Sequence, residues 1–153
     1  MLAGAAAAIY AAQSASPALN ETDSELIGLA EFITVYLTGG LLYGLLELLW
    51  RGWTHWSMII CGGACFAAMY RINFAPIPFP AKCLLCACTV TAIEFAVGCL
   101  VNIILKWQVW DYSALRGNLM GQICPQFFLM WLALSVPGLC LCSLLSRLLG
   151  RYQ

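Results

Sequence analysis

Charge is what this sequence lacks most. Only 9% of its residues are Asp, Glu, Lys or Arg, against about 25% in a soluble domain. The 7 basic and 7 acidic residues cancel, so there is no basic surface for nucleic acid and no acidic tail. The lone histidine, His55, has no partner at metal-ligand spacing. No G-x-x-x-x-G-K-[ST] string occurs, so the sequence carries no phosphate-binding loop. No cofactor is expected. Apolar residues, at 63%, are in excess instead. That balance excludes a water-soluble globule and points to an all-α integral membrane protein.

A helix needs roughly 20 mostly apolar residues to cross a bilayer. Four runs approach or meet that length: 26–50, 56–70, 84–105 and 123–145. The second is short and spans only where the bilayer thins or flanking residues snorkel. Uninterrupted runs lack the alternation of a membrane barrel. The expected architecture is therefore a small four-helix transmembrane domain over residues 25–153. Residues 1–24 precede it as an Ala-rich segment and a polar linker. The Ala-rich run has no basic stretch before it, so it reads as a short interfacial helix rather than a cleaved leader.

Arg51–His55 forms a tight turn between the first two runs. Arg71–Lys82 carries Pro76, Pro78 and Pro80 and is expected to be an extended loop. Pro137 should kink the last span near Ala133. Arg71, Lys82, Arg147 and Arg151 fall on one side of this topology, and Arg51, Lys106 and Arg116 on the other. The positive-inside rule then places both termini in the cytoplasm.

The nine cysteines lie almost entirely inside the expected helices, which argues against a disulfide framework. Cys83-Leu84-Leu85-Cys86 opens the third span as a C-x-x-C. Such a pair at a helix mouth could be a redox couple, because a helix N-terminus lowers thiol pKa. The competing reading, favoured by cysteine's frequency here, is packing by a small hydrophobe.

Ionisable groups at bilayer depth are costly and face protein or water. On a helical wheel Thr91, Glu94, Gly98 and Asn102 form one narrow polar stripe on the third span. Glu94 has no basic residue one turn away, so its partner comes from elsewhere or its carboxyl stays protonated. In the first span Tyr36, Gly40, Tyr43, Gly44, Glu47 and Arg51 share a side. Gly40 and Gly44 form a small-xxx-small face open to a second helix. Glu47 and Arg51 are spaced for an i, i+4 ion pair. Asp111, among the belt-like Trp107, Trp110 and Tyr112, could cap a short helix or pair with Arg116 or Arg51. Both odd-numbered spans run from a glutamate through a basic residue to a Trp-x-x-Trp, a hint of two parallel-repeat hairpins.

Three strings carry a family resemblance: Ile93-Glu94-Phe95-Ala96-Val97-Gly98, Trp110-Asp111-Tyr112-Ser113 and Asn118-Leu119-Met120-Gly121-Gln122-Ile123-Cys124. With Gly44-Leu45-Leu46-Glu47, they resemble the bacterial CmpB-type "putative ABC-transporter type IV" membrane proteins over roughly residues 40–135. The chain departs from that pattern between the first two spans, where a Gly-Pro-rich stretch is missing. The resemblance implies a multi-pass plasma-membrane protein of bacteria associated with transport, and without a phosphate-binding loop any ATP-driven role would need a separate ATPase chain. Carried over position by position, it points to Glu47, Glu94, Asp111, Tyr112, Asn118 and Gly121.

The leading expectation is thus a transport component or permease-like subunit of unknown substrate. Glu94, Asn102 and Thr91 would line its interior, Glu47 and Arg51 would brace it, and Asp111, Tyr112 and Asn118 would close one end. The lipid bilayer, a second copy or a partner membrane subunit would be its surroundings. The alternatives are a membrane thiol oxidoreductase using Cys83 and Cys86, and a non-catalytic scaffold or regulator.

Overall fold

Long apolar runs produce long helices, and most of the prolines fall at or between helix ends. In this computed structural model, which describes residues 21–150, α1 spans Glu21–Arg51 and α2 spans Trp56–Asn73. The third helix, α3, spans Phe79–Gly98 and runs on as a π-helical segment over Cys99–Ile104, and α4 spans Pro125–Leu148. Among the described residues there is no strand, only an isolated bridge between Leu119 and Ile123. The interfacial helix expected near the N-terminus lies outside the described residues.

Three stretches are long and apolar enough to cross a membrane: Glu25–Arg51, Phe79–Ile104 and Pro125–Leu148. The fourth helix, α2, has 18 residues, about 27 Å at 1.5 Å per residue. The chain is accordingly a multi-pass helical membrane protein. The described residues from Phe32 onward form one compact unit, which holds most of α1 and all of α2, α3 and α4. The start of α1, up to Glu31, belongs to another.

The extended loop expected over Arg71–Lys82 is much shorter. The α2 helix continues to Asn73, and α3 begins at Phe79 with Pro80 in its first turn. A proline there costs nothing, because the first backbone N–H groups of a helix have no intrahelical acceptor. Only Pro76 and Pro78 remain in the connection. Lys82 Nζ closes it by donating to the Asn73 carbonyl at 2.6 Å. The last helix starts at Pro125 rather than at 123, for the same reason. It passes without a break through Pro137.

Glycines set how closely α1 and α2 approach. A Cβ at Gly62 would lie 2.1 Å from the Tyr43 Cβ, and one at Gly39 would lie 2.2 Å from the Phe66 Cβ. At Gly40 it would meet the Ile59 carbonyl at 2.6 Å. The second helix that approaches the Gly40/Gly44 face is therefore α2 of the same chain. Such backbone proximity is the usual way membrane helices gain packing where hydrophobic burial supplies no driving force between them.

The core between α2, α3 and α4 combines small cysteines and Val90 with Leu139, Phe66, Met69 and Tyr70. Cys61, Cys86, Cys142, Val90 and Leu139 are each at most 1% exposed. Large apolar side chains also point outward, among them Leu41, Leu49, Leu129 and Leu144. A surface of this kind suits acyl chains.

Gly62→Ala should lower stability by about 1–3 kcal/mol, the usual cost of overpacking, read as an earlier loss of helicity on heating in detergent. At Gly44 the same Cβ finds its nearest neighbour at 3.4 Å. Gly44→Ala should therefore leave the transition nearly unchanged.

Candidate functional site

A buried carboxylate needs hydrogen-bond donors, and Glu94 draws them from two other helices. It sits on the fifth turn of α3 and is 7% exposed. The Tyr43 hydroxyl of α1 donates to Oε1 at 2.6 Å, and the Trp131 indole N–H of α4 donates to Oε2 at 2.7 Å. The two aromatic rings stack on each other with centroids 5.5 Å apart. One carboxylate therefore joins three helices.

This contact opens onto a cavity of about 260 Å³. Its polar wall includes Glu94, Glu47, Arg51, Tyr43 and Tyr112. Glu47 and Arg51 form the i, i+4 ion pair their spacing anticipated. Arg51 also donates to the Val109 carbonyl at 2.8 Å and lies over the Trp53 ring, 4.3 Å from its centroid. Its Nε is buried and has no hydrogen-bond partner. Tyr112 stacks on Phe127 at 4.3 Å, and burial pushes its phenol above its ordinary range, so it stays a neutral donor. Glu94 is thus the one charge-bearing group of the wall without an oppositely charged neighbour.

The connection from Leu105 to Cys124 holds the rest of the expected residues, and its own side chains fold it. Asn102 donates to Gln122 Oε1 at 2.7 Å and accepts from the Val109 N–H at 2.7 Å. Gln122 in turn donates to the Met120 carbonyl, while its own carbonyl accepts from the Trp110 indole. Asn118 accepts from the Gly121 N–H and donates to the Ser113 and Leu115 carbonyls. Asp111 accepts from the backbone N–H and hydroxyl of Ser113 and takes no part in an ion pair with Arg51 or Arg116. Gly121 has φ +70°, and a Cβ there would lie 2.9 Å from the Asp111 carboxylate. This ties the glycine to the turn that Asp111 caps.

Of the residues singled out from the sequence, Glu94, Glu47, Arg51 and Tyr112 converge on the cavity. Asn102, Asp111 and Asn118 organise the neighbouring connection instead. Thr91 lies a turn before Glu94 with its hydroxyl buried and unpartnered, away from the cavity wall. A helical wheel groups Asn102 with Glu94 by assuming α-helical turns. The chain becomes π-helical from Cys99, which widens the turns and directs Asn102 to the connection. Trp131 is the site residue that sequence reasoning misses. Its available signal is a tryptophan inside a span, whose N–H must find an acceptor when buried. Cys83 and Cys86 are both buried as free thiols in the helical core.

The sequence profile of the family described as "Putative ABC-transporter type IV" matches residues 53–149. That is more than half of the chain, which therefore belongs to this CmpB-type family. The match covers α2, α3, α4 and the connection, and leaves α1 outside it. No curated protein and no solved structure matches the chain.

Removing one donor to Glu94 should be measurable without unfolding the protein. Tyr43→Phe and Trp131→Phe should each cost about 1–2 kcal/mol of thermal stability. The double variant should lose less than the two effects added, because both donors serve one carboxylate.

Proposed function

We propose that this chain is the membrane-embedded component of a transport system, working with a separate ATPase subunit and offering a polar site built on Glu94. The observation that supports this reading most directly is the position of that carboxylate: buried, held by two helices, and forming the wall of a cavity shared with Glu47 and Arg51. An intramembrane carboxylate with this exposure to a cavity is a ligand-contact position by default. The family description supports the transport setting, and with no phosphate-binding motif in this sequence a separate chain would have to supply ATP hydrolysis. In this reading the protein resides in a bacterial plasma membrane with both termini in the cytoplasm, as a homo-oligomer or with a partner subunit.

Chemically, the cavity binds rather than transforms. Its wall offers carboxylates, a guanidinium and two phenols, but no serine, threonine, cysteine or lysine to act as a covalent nucleophile. The buried C-x-x-C cysteines lie in the packed core, which favours packing over thiol exchange for Cys83 and Cys86. One second reading has an observation behind it. Both carboxylate oxygens of Glu94 are hydrogen bonded, which suits a purely architectural role in a scaffold protein.

The two readings separate on one residue. In a complex purified from native membranes through this chain, the transport reading expects ATP hydrolysis that Glu94→Gln lowers at least tenfold with assembly intact. Unchanged hydrolysis in Glu94→Gln, together with loss of folding in Glu94→Leu alone, would leave the scaffold reading. A complex without hydrolysis would remove the ATPase partner.

A further inference from the structure

The cavity at Glu94 does not end at the stacked rings of Tyr43 and Trp131. A second cavity, of about 240 Å³, lies beyond them between α1 and α4. The two share Tyr43, Leu46, Leu49, Trp131 and Leu134 as wall, so they are two lengths of one cleft. Together they reach the roughly 300–1,000 Å³ range of small-molecule sites.

The two lengths differ in chemistry. The first carries every charged residue of the cleft. The second runs past Gly39, Phe66, Pro137, Gly138 and Leu141 and is almost wholly apolar, with Ser135 and Cys65 as its only hydroxyl and thiol besides Tyr43. Ser135 already donates to the Trp131 carbonyl. The rim on α1 is open to the side: Leu42, Leu45 and Leu49 are 37%, 52% and 76% exposed. An occupant can therefore enter laterally from the bilayer, placing its chain along α4 and its head toward the end of the bundle where α1 terminates.

The charge of the head is set by the wall. The charge of Arg51 is paired with Glu47, and its guanidinium also donates to the Val109 carbonyl and lies over the face of Trp53, leaving only Nε unpartnered. Glu94 has only neutral donors. Tyr43, Trp50, Tyr112, Phe127 and Trp131 line the same cavity. A carboxylate without a countercharge among aromatic rings selects a cation, and rings of this kind favour alkylated ammonium groups.

We propose that the cleft between α1 and α4 binds a single-chain amphiphile with an ammonium head, the head beside Glu94 and the alkyl chain in the groove that ends at Gly138 and Leu141. This rests on the reading of Glu94 as a ligand contact and names the class of ligand.

The test uses the full chain in maltoside micelles and dodecyltrimethylammonium as probe, followed by tryptophan fluorescence. Dodecyl sulfate serves as the anionic counterpart and tetramethylammonium as the head alone. Dodecyltrimethylammonium should bind at least tenfold more tightly than either. Glu94→Gln should weaken it at least tenfold while helicity is retained. Leu42→Trp, a substitution on the exposed rim, should weaken the long-chain probe at least fivefold and leave tetramethylammonium binding unchanged. Equal binding of dodecyl sulfate, or affinity unaltered in both variants, would overturn the proposal. If ATP hydrolysis still responds to Glu94→Gln while ammonium binding does not, the ligand class is wrong and the site stands. If neither responds, both readings fall.

Discussion

The carboxylate of Glu94 is the interaction on which the rest depends. A charged or strongly polar group deep among helices is tolerated only with its hydrogen-bonding capacity met inside the protein. Here the donors are Tyr43 on α1 and Trp131 on α4, so satisfying one side chain of α3 fixes the relative position of three helices. Apolar surfaces alone would not specify that arrangement, because lipid tails compete equally well for leucine. The stacked rings of the two donors add a directional contact at the same point.

Around this junction the helices are held by two other kinds of contact. Paired glycines bring α1 against α2 so closely that a methyl group would collide. The α1–α4 side lacks such contact and stays open as a cleft. At the end of the cleft Arg51 reaches across to the Val109 carbonyl, and Trp107 packs on His55 and Trp56. The connection beyond Leu105 is thereby attached to the turn between α1 and α2 as well as to its own helices. Side-chain amides hold its fold: Asn102, Asn118 and Gln122 answer backbone groups that no helix satisfies.

Membership of the "Putative ABC-transporter type IV" family rests on α2, α3, α4 and the connection. Yet α1, outside the match, supplies Tyr43, Glu47 and Arg51 to the cavity. The candidate site is therefore a joint product of the matched region and of the helix before it. Glu94 and Trp131 come from within the match, and their partner hydroxyl does not.

Hydropathy by itself determined the membrane class, the all-helical fold and the approximate positions of the helices, because solvation in lipid acts on every residue of a run. Local spacing determined the Glu47–Arg51 pair, which needs only one helical turn. Local rules also err. Prolines near residue 78 suggest an extended loop, yet the start of α3 puts Pro80 where proline is harmless. A wheel places Asn102 beside Glu94, yet the π-helical segment turns it away. Only the tertiary structure decided that Glu94 would meet Tyr43 and Trp131, that the Gly40 face would be filled from within the chain, and that a cleft would remain between α1 and α4. Those outcomes depend on contacts between residues far apart in the chain, and no periodicity along one helix encodes which side of its neighbour it will touch.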